Sequence, residues 1–252
     1  MALVALKRRR YLDFIRAARR VRGQMTAEVM AATDGVVQHG PLKGLHLGGG
    51  STWGSDSVGQ IFGLYEQQLF PYLTGHKHAV FVDVGAADGV WAVGLVKAGH
   101  FDRCVCFEQR PKGRQTIRKR ARQNGVAERI DIRGAAETAD LVALAGELTD
   151  SNPVFLIDIE GAEFDMLTPE FFAAARNATI VIELHPWASD RPDPVADLVA
   201  AAGDGFTIAR VDDSVRDMSG LLDQTEMHDL LRYTLVSEDR SRAQKWLALT
   251  PA

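Results

Sequence analysis

At 252 residues, with 46% hydrophobic and 25% charged content, the chain carries enough apolar material for one full core plus a modest appendage, which excludes a disordered protein. Its longest apolar runs, such as residues 178–182, fall far short of the roughly 20 residues of a membrane span, and Met1-Ala-Leu-Val-Ala-Leu6, followed by Lys7-Arg-Arg-Arg10, is too short for a signal peptide. A net charge of -4 argues against a molecule that binds nucleic acid with its whole surface.

Residues 1–33 read as a helix. Between positions 7 and 22, Lys7, Arg8, Arg9, Arg10, Arg16, Arg19, Arg20 and Arg22 stand against a single Asp13, while Leu12, Ile15 and Ala18 can share one stripe. Such a basic face ordinarily meets solvent; lipid headgroups, as a peripheral contact, or an acidic partner are the alternatives. Residues 35–57 are glycine-rich and read as loop. Gly48-Gly-Gly-Ser-Thr52 lacks both the preceding strand and the following Gly-Lys-Ser/Thr of a phosphate cradle. Ile61, Leu64, Tyr65, Leu69 and Leu73 then give a helical stripe, so residues 1–75 are expected to form a helical extension ahead of a domain over 76–252.

From residue 78 short apolar runs alternate with helical segments, the pattern of a doubly wound, mostly parallel α/β sheet. Strands are expected near 79–84, 103–107, 129–133, 153–158, 178–184, 206–211 and 231–237. The polar stretch 212–229 reads as a lid or substrate loop. The two cysteines, Cys104 and Cys106, alternate within one strand, so they cannot bridge each other without distorting it. Buried thiols are the ordinary reading and a C-x-C metal pair the other. A reducing, cytoplasmic setting is expected.

Two strand ends concentrate chemistry. The first strand runs through Asp83 into Gly85-Ala86-Ala87-Asp88-Gly89, where Gly85 permits a sharp turn and Gly89 a close approach of backbone. The second ends in Glu108, 25 positions after Asp83, where an acid can accept both hydroxyls of a ribose or else pair with Arg110. NAD and S-adenosylmethionine enzymes share that acid. The loop separates them: it lacks the G-x-G-x-x-G that brings backbone to a pyrophosphate, and Asp83 with Asp88 suits a sulfonium and an amino group better. At the fourth strand end, Asp158-Ile-Glu160-Gly-Ala-Glu163 crowds three carboxylates around a glycine, which calls for a cation, a proton, hydrogen-bond donors or a helix dipole.

The order of Val82-Asp-Val-Gly-Ala-Ala-Asp-Gly89, Phe107-Glu108, Ile157-Asp-Ile-Glu-Gly-Ala-Glu163 and Ile182-Glu-Leu-His185 resembles the FkbM-type S-adenosylmethionine-dependent methyltransferases over about residues 78–237. Ala87 stands where many members carry Asn or Gly, and Leu156 where many carry Lys. The resemblance implies a Rossmann-like class I methyltransferase fold, seven strands with the last antiparallel, and methyl transfer to a hydroxyl of a sugar or secondary metabolite. It also implies a cofactor pocket made by Asp83, Gly85, Ala86, Asp88 and Gly89, with Glu108 on the ribose and Ala135, Ala136 and Glu137 near the adenine. Asp158 would border the transfer site.

An alcohol acceptor must lose a proton, and His185, Glu160 and Glu163 are the candidate catalytic groups. His185 leads as the base; a capping or hydrogen-bonded histidine before Pro186 is its alternative. A divalent metal on Asp158 and Glu160 is a less favoured explanation of the acids. A nucleic-acid methyltransferase, suggested by seven basic residues across 110–122, lacks an Asn/Asp-Pro-Pro-Tyr/Phe element after the fourth strand and a cysteine nucleophile at that edge, so no nucleic-acid partner is expected. An NAD-dependent oxidoreductase is a second rival, and a non-catalytic interaction protein that retains the fold is a third.

Overall fold

The computed structural model describes residues 2–48, 57–77, 79–212, 217–218, 228–240 and 244–252, with side chains from Arg10 onward except Leu235. The glycine run beyond Gly48 and most of the expected lid over 212–229 lie outside the described residues.

Helix α1 (Ala2–Ala32) opens the chain and packs against α2 (Ser57–Ile61). The stripe ending at Leu73 does not form one helix. Gly63 (φ +68°) and Glu66 (φ +46°) adopt left-handed conformations, and a tight turn at Gln67–Leu69 leads into α3 (Phe70–Leu73). Gly63 is required there, because a Cβ would sit 2.3 Å from the His39 carbonyl oxygen.

The sheet comprises β1 (Val80–Val84), β2 (Arg103–Phe107), β3 (Ile130–Arg133), β4 (Val154–Ile157), β5 (Thr179–Glu183), β6 (Phe206–Asp212) and β7 (Lys245–Pro251). Their order is β3-β2-β1-β4-β5-β7-β6, parallel except that β7 runs antiparallel to β5 and β6. The crossovers are α4 (Val90–Lys97), α5 (Pro111–Gln123), α6 (Thr138–Glu147), α7 (Glu163–Met166) with α8 (Pro169–Ala174), and α9 (Pro194–Ala202). Pro169 splits the helix expected after β4. It disfavours helical backbone at Thr168, which turns extended (ψ 165°) and caps α8 through its hydroxyl.

The strand expected at 231–237 is instead α10 (Asp229–Val236), capped by His228, and the seventh strand lies at Lys245–Pro251. The aromatic and β-branched residues of 231–237 imitate a strand. Leu230 and Tyr233 are exposed, however, while Val236 packs on Leu64. By contrast Trp246, Leu247, Ala248 and Leu249 are all 1% exposed, as expected of a strand covered on both faces.

Strand alternation divides the core. Val82, Phe155, Ile157, Ile182 and Leu247 face α6 and α8, whereas Phe81, Leu156, Val181 and Trp246 face α4, α5 and the Val37–Leu73 segment, including Leu45, Ile61 and Leu69. The same period of two carries Asp83, Asp158 and Glu183 to the second of these faces, at the carboxyl ends of β1, β4 and β5. Among the described residues no helix is long and apolar enough to cross a membrane. Cys104 and Cys106 are free thiols buried in β2. On α1, Arg19 and Arg22 pair with Asp239, so part of the basic segment is structural.

Candidate functional site

The order in which strands are added reverses between the parallel neighbours β1 and β4, and the site forms at that crevice. Gly85 (φ +93°) turns the chain so tightly that a Cβ would lie 1.8 Å from the Asp158 carbonyl oxygen; the loops after β1 and β4 are in backbone contact. Gly89 (φ +77°) starts α4, and its missing side chain makes room for Ile117 of α5. The loop spends its donors internally. Gly85 and Ala86 N–H bond to the Phe107 carbonyl, Ala87 N–H to Glu108 Oε2 at 3.0 Å, and Gly89 N–H to the Ala86 carbonyl.

Glu108 is 6% exposed and also accepts from Arg110 N–H at 2.6 Å. Two backbone bonds orient its carboxylate and leave acceptor capacity for a ligand's hydroxyls. Asp83, 4% exposed, has its carboxyl pushed well above the usual range by burial and by neighbouring Asp158. Asp88 is differently employed: its carboxylate pairs with buried Arg120 at 2.9 Å. Ala135 is exposed, Ala136 partly buried, and Glu137 caps α6 in a reciprocal box with Asp140.

After β4, Glu160 (φ +55°) and Gly161 (φ +110°) form a left-handed turn, so Glu160 and Glu163 do not share a helical face. Glu160 keeps 86% of its side chain exposed; Glu163 is fully buried. Glu163 accepts from Gly161 N–H and His185 N–H, each at 2.8 Å, and meets His185 Nδ1 at 3.2 Å. It therefore positions His185 from beneath. His185 Nε2 faces Asp158, Glu160 and Glu183 at 3.7, 3.6 and 3.8 Å. Burial alone would lower the imidazole pKa; Glu163, Asp158 and Glu160 outweigh it and raise it. The same carboxylates favour the imidazolium, so Nε2 offers a lone pair, to a substrate proton or to a cation, only once that proton has left.

Sequence reasoning missed half of the wall. Buried Glu66 accepts from Trp91 Nε1 at 2.9 Å and from Arg240 at 2.6 Å, and Arg240 also bonds Glu238 at 2.6 Å. Burial, then the charges of Asp158 and Glu66, push Glu183 up to about 10, and Gln244 donates to its Oε1. Asp158 is raised by burial, against the opposing pull of His185. Between these groups lies a cavity of about 70 Å³ lined by Gln60, Glu66, Asp83, Trp91, Asp158 and Trp246 among others. Gln60 Oε1, Asp158 Oδ1 and Trp246 Nε1 are buried with no hydrogen-bond partner. Glu183 had a local signal, as an acid ending a buried strand; Gln60, Glu66, Arg240 and Trp246 had none.

Burial raises Glu66 from an ordinary 4.5 to about 7, against the pull of Arg240. An acid raised in the folded state binds more protons there than when unfolded, so its contribution to stability falls as pH rises from about 4.5 through 7. Glu66→Gln is therefore expected to remove on the order of 3 kcal/mol of pH dependence over that window, at 1.4 kcal/mol per pH unit. Urea denaturation at pH 5 and pH 8 measures it; identical slopes for both proteins would contradict the assignment.

No protein-family model matches the chain. Over 86 residues it is 38% identical to the ribosomal protein L11 methyltransferase of Alkalilimnicola ehrlichii, a match taking in 28% of this chain and 28% of that protein's length. Among solved structures, the O-methyltransferase TomG of Streptomyces achromogenes, in complex with SAM, is 15% identical and covers 70% of this chain and 75% of its own, with a TM-score of 0.44. The precorrin-6y C5,15-methyltransferase of Geobacter metallireducens is 14% identical, over 70% of this chain and 81% of its own, with a TM-score of 0.45. A Streptococcus agalactiae protein of the NADB-Rossmann superfamily is 18% identical, over 74% and 67%, with a TM-score of 0.46. Likenesses this distant say nothing about substrate.

Proposed function

We propose that the chain is an S-adenosylmethionine-dependent methyltransferase that methylates a hydroxyl on a sugar, glycan or secondary metabolite. The reading is carried by the cavity at the β1 and β4 ends. Its orphaned acceptors, Gln60 Oε1 and Asp158 Oδ1, and its acid Asp83 call for a cationic, hydrogen-bond-donating ligand, while the orphaned donor Trp246 Nε1 suits a carboxylate. The amino-acid end of S-adenosylmethionine offers an ammonium, a sulfonium and a carboxylate. A pyrophosphate would meet these acids and a loop whose Gly85, Ala86, Ala87 and Gly89 N–H groups are already bonded, which disfavours NAD. The resemblance to FkbM-type enzymes and the short L11 methyltransferase match favour the same cofactor.

In methyl transfer the acceptor oxygen's lone pair forms the new bond to the methyl carbon, the carbon–sulfur bond's electrons return to sulfur as a neutral thioether, and the hydroxyl proton departs. The chain's part is placement. Glu108 orients the ribose, Asp83 and Gln60 hold the amino end, and Asp158 borders the reacting carbon, so that the acceptor is kept at attack distance. The hydroxyl proton is released toward the carboxylates at the β4 and β5 ends. Acceptor recognition falls to the 1–75 extension and the 212–229 segment.

S-adenosylhomocysteine at about 100 times its Kd is expected to stabilise the protein by roughly 2.7 kcal/mol, about 5–10 °C in Tm, with no shift from NAD. Asp83→Asn is expected to lose most of that shift while remaining folded. Stabilisation by NAD alone would replace this reading with the oxidoreductase.

A further inference from the structure

We propose that Asp158, Glu183 and His185 form a binding site for a divalent transition-metal ion, a set distinct from the Asp158 and Glu160 pair suggested by sequence. One ligand atom from each lies within 4.8 Å of the others. The separations of His185 Nε2 from Asp158 Oδ1 and Glu183 Oε1, 3.7 and 3.8 Å, are too long for hydrogen bonds. They lie within a few tenths of an ångström of the roughly 3.4 Å ligand–ligand edge set by metal bonds of about 2.1 Å.

Two further observations separate this cluster from a mere accumulation of acids. The His185 side chain is 5% exposed and its Nε2 points among three carboxylates, each beyond hydrogen-bond distance, while Asp158 Oδ1 is a buried atom without a hydrogen-bond partner on a side chain that is 37% exposed. Meanwhile Nδ1 rests on fully buried Glu163, itself anchored by Gly161 N–H. A ligating histidine characteristically gives its other ring N–H to a carboxylate, which holds the tautomer and aims the free nitrogen at the metal. Glu163 and His185 have that relation. The Trp187 ring packs edge-on against the imidazole, with centroids 5.3 Å apart, and Glu160 Oε2, 3.6 Å from Nε2 and largely in solvent, can close the site from outside.

One imidazole with two carboxylates selects manganese, iron or zinc over magnesium or calcium, which prefer all-oxygen shells. A Lewis acid held by these residues would lower the pKa of a hydroxyl bound to it. Only that use rests on the methyl-transfer reading; the binding does not.

The test is titration of chelator-stripped full-length protein with manganese(II) chloride, without S-adenosylmethionine, following the free-ion paramagnetic resonance signal. About one equivalent should bind, with magnesium competing weakly. His185→Ala and Glu183→Gln should each weaken binding at least tenfold, Glu163→Gln by about 10–100-fold, and Glu160→Gln by less than about threefold. Because buried variants can fail to fold, the wild-type complex is also read directly: ¹⁴N modulation of the manganese spin echo reports an imidazole ligand. Absence of that modulation, absence of stoichiometric binding at millimolar metal, or unchanged affinity in both His185→Ala and Glu183→Gln overturns the site. S-adenosylhomocysteine stabilisation measured without metal reports on the cofactor reading separately.

Discussion

Gly85→Ala is expected to leave no folded, ligand-binding protein. The residue sits at φ +93°, and the added methyl would lie 1.8 Å from the Asp158 carbonyl oxygen and 2.9 Å from its carbon. Neither neighbour can step aside. Asp158 N–H is bonded to the Val84 carbonyl at 2.9 Å and Gly85 N–H to Phe107 at 3.0 Å, so relief requires separating β1 from β2 or β4 at the site. The cost should exceed about 4 kcal/mol, a large part of the 5–15 kcal/mol stability of an ordinary domain. Gly99→Ala is the control, with φ +78° and nothing within 4 Å of its Cβ, and should cost about 1–2 kcal/mol from backbone conformation alone. Soluble yield, thermal melting and the S-adenosylhomocysteine shift read the difference. A Gly85→Ala protein melting within two or three degrees of wild type would mean that the two loops do not meet as described.

Arg120→Met should be nearly as damaging, although it removes no atom from the cavity. Arg120 is 2% exposed and reaches Asp88 Oδ1 at 2.9 Å, the Asp88 carbonyl at 2.7 Å and the Leu47 carbonyl at 3.1 Å. One side chain thus joins α5, the loop after β1 and the segment leading in from α1. Breaking a buried pair strands the other charge, and the expected loss is 3–5 kcal/mol in urea denaturation. Adding Asp88→Asn should recover part of it, because the stranded charge is gone. The double variant should keep its S-adenosylhomocysteine shift, since Asp88 acts through Arg120. A loss below about 1 kcal/mol would place the pair among solvent-screened ion pairs and contradict its burial.

The opposite employments of Asp83 and Asp88 illustrate how far local sequence reaches. Both acids flank one glycine turn, and both read as cofactor contacts from sequence. Strand alternation sends Asp83 into the cavity wall, and that was legible. Asp88 meets an arginine 32 positions later, a pairing that depends on how α5 crosses the sheet. Glu160 and Glu163 divide in the same way. A three-residue spacing would place both on one face of a helix, but Glu160 and Gly161 turn left-handed, leaving one carboxylate in water and the other beneath His185. The misplaced last strand has a related cause: aromatic and β-branched residues at 231–237 satisfy either state until packing decides, and only pairing between β5 and β6 distinguishes Lys245–Pro251.

By itself the sequence determined the alternating α/β plan, the first six strands within a residue or two, the turn at Gly85 and the strand-end positions of Asp83, Glu108, Asp158 and His185. These depend on periods of two and 3.6 and on backbone conformations that few residues adopt, all contained in a short window of chain. The tertiary structure decided which acids share a cavity, because Gln60, Glu66, Asp83, Asp158 and Trp246 converge on it from segments up to 186 positions apart, while Arg240 links Glu66 to Glu183. It also decided which donors and acceptors remain unpaired. Hydrogen-bond satisfaction belongs to the assembled fold, since each partner is supplied by whatever segment the sheet and its crossovers bring alongside.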